Sequence, residues 1–162
     1  MEKKKKSGFV DISNAREDEQ KEVMEAIIDN DHCPFCRENL AKYHKKPILR
    51  TTKHWLVTEN QWPYKKTKNH LLIILKEHAE KLADIPSEAG KELFILVKWI
   101  EKKYKIKGGA FALRFGDSKF SASTVNHLHV QFVEPDVYKL EPEESVVFYI
   151  GKPSKKESNG NN

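Results

Sequence analysis

The sequence predicts one α+β domain built on an antiparallel sheet. Three observations carry this. A long amphipathic helix sits mid-chain, short strand-like segments flank it on both sides, and the early segments are joined by connections short enough for hairpins. No internal repeat or interdomain linker interrupts the pattern, and 162 residues suffice for one domain with a sizeable core.

Taken in order, residues 1–8 hold the lysine run Lys3-Lys4-Lys5-Lys6 and read as a basic disordered start. The domain is expected over 9–150. A helix near 15–29 carries apolar Val23, Met24, Ile27 and Ile28, with Asn14 and Glu17 spaced as a capping pair. The polar stretch Arg37 to Lys46 follows. Alternating or β-branched runs place strands near 48–51, 54–59 and 70–76. The second helix, near 87–104, opens at Pro86-Ser87 and stacks Leu93, Leu96, Val97, Ile100 and Tyr104 in one stripe. A turn at Gly108-Gly109 leads to strands near 110–115, 127–133 and 145–150, and residues 151–162 read as a disordered tail.

Twenty-nine basic against twenty-four acidic residues give a formal charge of +5, but the excess lies at the ends. Residues 1–8 contribute +3 and residues 151–162 contribute +2, so the body is formally neutral. That excludes a whole-domain nucleic-acid footprint and leaves basic tails suited to weak polyanion contact. No apolar run is long enough to span a bilayer, so no membrane association is expected. With a Met-Glu-Lys start, no signal peptide and only two cysteines, the chain reads as cytoplasmic.

The chemistry-bearing residues fall into a few short segments. In Asn126-His127-Leu128-His129-Val130-Gln131-Phe132-Val133, a strand puts His127, His129 and Gln131 on one face and Leu128, Val130 and Phe132 on the other. One face can pack; the other offers a nucleophile or metal ligand, a neighbour to orient it, and an amide donor. Cys33-Pro34-Phe35-Cys36 spaces two thiols to bite one zinc ion, and a redox pair would instead need a strand-to-helix turn of a parallel unit. Two further ligands must come from His32, His44, His54, His70, His78 or the His127/His129 pair. Residues 114–124 combine small residues, hydroxyls and the cations Arg114 and Lys119, as a phosphate-holding turn would.

Four blocks in order carry a resemblance: Cys33 to Cys36, Asn60-Gln61-Trp62-Pro63-Tyr64, His70 to His78, and Ser121 to Gln131. Over roughly residues 32–135 the chain resembles the histidine-triad superfamily of nucleotide hydrolases and transferases. Ending the motif in Gln131 is similar to the branch of galactose-1-phosphate uridylyltransferase and the diadenosine polyphosphate phosphorylases. The resemblance implies an antiparallel sheet of five or more strands, often doubled across a homodimer, and a nucleotide substrate.

It also implies roles. His129 would be the nucleophile forming a nucleotidyl-histidine intermediate, with Gln131 donating to phosphoryl or leaving-group oxygens and His127 beside them. Asn60 would contact the ribose, Trp62 or Phe35 the base, and Ser123 and Thr124 the phosphate. Lys119 belongs to the same loop, whereas Asp117 departs from the usual asparagine and would repel phosphate unless turned away or bound to sugar hydroxyls or a cation. Cys33, Cys36, His78 and His127 would close a structural Zn2+ site. The rival expectations are a catalytically weak, zinc-stabilised nucleotide- or nucleic-acid-binding module and a metalloenzyme with His127 and His129 on one catalytic ion.

Overall fold

The computed structural model describes residues 8–151, so the predicted basic start and tail lie outside the described residues except for Gly8 and Gly151. The elements are α1 (Asp18–Asn30), α2 (Arg37–Tyr43), β1 (Ile48–Thr51), β2 (Trp55–Glu59), β3 (Thr67–Leu75), α3 (Ser87–Tyr104), β4 (Ala110–Leu113), α4 (Ser118–Ser121) and β5 (His129–Pro135). The strands form one sheet in the order β1-β2-β3-β5-β4, and every pairing is antiparallel. The α+β expectation holds.

Side-chain alternation divides the molecule into layers. Trp55, Val57, Leu71, Ile73, Leu75, Leu128, Val130 and Phe132 turn to one face of the sheet and pack on Leu96, Val97 and Ile100 of α3. Trp55 is fully buried, and its indole donates to the Ala89 carbonyl at 2.8 Å. Burying such large apolar side chains contributes about 1.5–3 kcal/mol each, which makes this the principal core. On the opposite face Leu72 and Ile74 meet Leu40 of α2, while Met24 and Ile27 of α1 pack with Val10 and Tyr43.

The departures from expectation have local causes. Residues 37–43 are helical because Leu40 and Tyr43, three apart, bury one stripe against the sheet and α1 despite the polar composition around them. The expected Asn14/Glu17 cap does not form. Glu17 is the N-cap without a side-chain bond, Gln20 accepts from the Arg16 amide, and Asn14 is buried, donating to the Ser123 carbonyl at 2.8 Å. Long-range pairing has outcompeted the local cap. Residues 145–150 are not a strand: the Tyr149 carbonyl accepts from the Arg114 guanidinium at 2.7 Å rather than from a neighbouring strand.

His44 joins α2 to the sheet. The Thr58 hydroxyl donates to the Pro47 carbonyl at 2.9 Å, so the 2.8 Å contact to His44 requires the Nε2–H of a neutral imidazole. Burial lowers the His44 pKa to about 4. The unfolded chain therefore binds a proton that the folded chain refuses between about pH 6.5 and 4, and stability falls as pH drops through that window. Denaturant titrations across it should show the fall, reduced in His44→Gln.

Gly109 meets β5 so closely that an added Cβ would overlap the Val133 carbonyl oxygen. Because that obstacle is backbone in a central strand, Gly109→Ala should cost about 1–3 kcal/mol by chemical denaturation.

Candidate functional site

Cys33 lies in the loop after α1, Cys36 immediately precedes α2, His78 follows β3, and His127 precedes β5. Three separate chain segments thus bring two sulfurs and two imidazole nitrogens within 4.8 Å of one another. The Cys33 Sγ to His127 Nδ1 distance is 3.3 Å, Cys36 Sγ to His78 Nδ1 is 3.5 Å, Cys36 Sγ to His127 Nδ1 is 3.9 Å, and the two Nδ1 atoms are 3.2 Å apart. A tetrahedron with metal–sulfur bonds of about 2.3 Å and metal–nitrogen bonds of about 2.0–2.1 Å has edges of roughly 3.6 Å and 3.3 Å. The donor set therefore fits a tetrahedral metal ion.

The surroundings point the right atoms inward. His127 Nε2–H donates to the Leu75 carbonyl at 2.6 Å, and His78 Nε2 lies 3.4 Å from Glu80, so each ring turns Nδ1 to the cluster. Burial raises the thiol pKa of Cys33, and burial with the nearby Cys33 pushes Cys36 up to about 12. Only a cation in their midst would make both thiolates stable. Among the other candidates, His44 bonds Thr58, His54 pairs with Glu92 at 3.0 Å, and His32 rests near Tyr43. None of these joins the cluster.

Beyond His127 the strand turns His129 and Gln131 into a cavity of about 310 Å³ between the sheet and α1. His129 is 3 % exposed, and its Nδ1–H donates to the His127 carbonyl at 2.6 Å, which leaves Nε2 as the lone-pair atom. Burial depresses its pKa to about 4, so the ring is neutral. The Phe35 ring stands edge-on to it at 5.0 Å.

Gln131 is oriented by its neighbours. The Tyr64 amide donates to His70 Nδ1 at 2.9 Å, which makes His70 Nε2 the protonated nitrogen. That N–H donates to Gln131 Oε1 at 2.5 Å, and the Asn60 amide reaches the same oxygen at 3.2 Å. With Oε1 doubly held, the Gln131 NH2 is the group left for a ligand. Asn60 Oδ1 in turn accepts from the Trp62 amide at 2.9 Å, so both ends of Asn60 serve this network.

Asn60, Thr124, Trp62 and Phe35 line the cavity, whereas Ser123, Asp117 and Lys119 are not among its lining residues. Ser123 is buried and donates to the Val125 carbonyl, and Asp117 caps α4 by accepting from the Lys119 amide at 2.8 Å. Sequence reading gave no role to Arg16 or Tyr149, named His70 only as a candidate metal ligand, and included Tyr64 only within the block from Asn60. Arg114 opened the loop already singled out, but nothing local marks Arg16, which arrives from the far end of the chain. Of the four buried polar atoms without partners among the described residues, Asn14 Oδ1, Tyr43 Oη and Trp62 Nε1 belong to cavity-lining side chains and Asn126 Oδ1 does not. Buried polar groups are rarely left unpaired, so their grouping here marks a place built for a ligand.

No curated protein matches the chain. Among solved structures, it is similar to a histidine triad nucleotide-binding protein from Candida albicans, at 21 % identity and TM-score 0.56 over 76 % of this chain and 85 % of that one. It is also similar to a Zn-bound histidine triad family protein from Mycobacterium smegmatis, at 18 % identity and TM-score 0.50 over 71 % and 79 %. A HIT family hydrolase from Legionella pneumophila matches at 21 % identity and TM-score 0.51 over 62 % and 90 %. These identities establish the shared fold. The HIT domain family model matches residues 41–136, which hold all five strands and the His127/His129/Gln131 face, and the chain belongs to the HIT domain family.

Proposed function

We propose that the protein is a nucleotide hydrolase or nucleotidyltransferase that acts on a nucleoside phosphoanhydride or nucleotide-sugar through a covalent intermediate on His129. The observation that carries this reading is the tautomer of His129, whose Nδ1–H is committed to the His127 carbonyl while a neutral Nε2 remains nucleophilic. Nε2 forms a bond to the α-phosphorus; the bond to the leaving-group oxygen breaks and its electron pair departs with that oxygen. An acceptor oxygen then displaces Nε2 from phosphorus, and the pair returns to the ring. Water as acceptor gives hydrolysis; phosphate or a sugar phosphate gives transfer.

Gln131 presents its NH2 to the phosphoryl group, and Thr124 lies in the cavity wall to meet it. Ribose meets Asn60, and the base stacks on Phe35. The names of the Candida and Legionella neighbours agree with this reading. Cys33, Cys36, His78 and His127 would hold a zinc ion, which would supply structural cross-linking, since a set of four protein ligands suits a structural rather than a catalytic site. The Zn-bound mycobacterial neighbour supports the choice of metal. Free thiols in that arrangement suit a reducing compartment such as the cytoplasm. A second copy of the chain suits the exposed edge strand β4, where Phe111 meets Phe94 of α3 and both are exposed.

His129→Ala should reduce turnover by on the order of 10⁴-fold or more while zinc content and nucleotide binding persist, because a nucleophile acts on the transition state far more than on ground-state binding. Rapid quenching should yield an acid-labile nucleotide adduct on His129. Substantial activity in the variant, or an adduct elsewhere, would replace this reading with that of a catalytically weak nucleotide-binding module.

Protein purified without chelators should contain one zinc per chain by metal analysis, and strong chelation should lower Tm, since structural metal binding contributes directly to folding. His127→Ala should lose both the metal and the stability.

A further inference from the structure

Two guanidiniums stand at one end of the cavity with no carboxylate to neutralise them. Arg16 and Arg114 both line it, no aspartate or glutamate does, and neither arginine makes an ion pair among the described residues. They bracket one side chain. The Arg16 guanidinium lies 4.3 Å from the Tyr64 ring centroid, and Arg114 donates to the Tyr64 hydroxyl at 3.2 Å. Backbone carbonyls fix the rest, with Arg16 donating to Trp62 O at 2.7 Å and Arg114 to Tyr149 O at 2.7 Å. Each fork retains further N–H groups, since a guanidinium has five.

The position of this pair is set by the network already described. Tyr64 packs on His70 with ring centroids 4.4 Å apart, and His70 holds Gln131, so one run of contacts leads from Gln131 through His70 and Tyr64 to both arginines. Gln131 cannot give a proton to a departing oxygen. A leaving group at that end must therefore depart as an anion already stabilised by other means, and two unneutralised guanidiniums supply that stabilisation.

Resting on the proposed His129 chemistry, we infer that Arg16 and Arg114 form the subsite that holds the phosphate leaving group as an anion. In the first step the bridging P–O bond breaks as Nε2 bonds to the α-phosphorus, and the bridging oxygen keeps the electron pair as part of a phosphate or pyrophosphate held by the two forks. No proton is transferred.

The test compares two substrates of one nucleoside: its triphosphate, which releases pyrophosphate, and the p-nitrophenyl ester of its monophosphate, whose leaving group carries no phosphate. In Arg16→Gln/Arg114→Gln the ratio of kcat/KM for the triphosphate over the ester should fall about 100-fold, with partial recovery in the double lysine variant. An unchanged ratio, with both substrates falling together or neither falling, would overturn the assignment. Calorimetry with inorganic pyrophosphate reads the subsite without turnover. Wild type should bind it and the double glutamine variant should bind at least 10-fold more weakly, while equal binding, or none to wild type, also overturns it. If wild type turns over neither substrate, the nucleotidyl-histidine reading fails and the pyrophosphate measurement alone decides the subsite. Should Arg114→Gln disturb folding by freeing the Tyr149 segment, as read by Tm and metal content, Arg16→Gln alone carries both comparisons.

Discussion

Pairing of β3 with β5 holds the register on which the site depends. Leu72 stands opposite Gln131 and Ile74 opposite His129, while Leu71 and Ile73 stand opposite Phe132 and Val130. Antiparallel partners share a face, so one pairing sends a set of apolar residues to α3 and leaves His70, His129 and Gln131 together on the other side. A slip of β5 by one residue would turn His129 and Gln131 toward α3 and Val130 and Phe132 to the cavity. The apolar face therefore guards the chemistry of the polar one.

The metal cluster extends that register past the end of the strands. His127 lies two residues before His129, and the Leu75 and Leu128 backbones continue the ladder beyond β3 through the 3.1 Å bond from Leu75 N to Leu128 O. Its ring bonds the Leu75 carbonyl and faces Cys33, Cys36 and His78, while its own carbonyl accepts from His129. One residue thereby couples the Cys/His cluster to the tautomer of His129. Disturbing the cluster would reach His129 through a single peptide, without any step of chemistry passing through the metal.

The cavity divides by physical character. Toward α1 its wall is apolar, with Val23, Met24 and Ile27, and the orphaned polar atoms of Asn14, Tyr43 and Trp62 lie among its lining residues. Toward the carboxyl end of the described chain it becomes cationic, with Arg16 and Arg114 around Tyr64. His129 and Gln131 belong to the wall of this same cavity.

Much of this was legible in the residues themselves, for reasons that differ by element. Period-2 alternation around His129 and the stripe from Leu93 to Tyr104 are local patterns backed by burial, so both the central strand and α3 could be placed from sequence. The cysteine pair and the histidine motif name their chemistry by residue type and spacing. The failures came where the deciding partner was distant. Asn14 abandoned a local cap for the Ser123 carbonyl, and residues 145–150 were held by Arg114 instead of a strand. Sequence by itself determined the strand faces, the long helix and the ligand types, because these depend on side-chain period and on the chemistry of single residues. Only the tertiary structure brought together the Cys33, Cys36, His78 and His127 set that the resemblance implied, and it alone decided that His70 orients Gln131 and that Arg16 reaches the cavity, because each is a meeting of segments far apart in the chain.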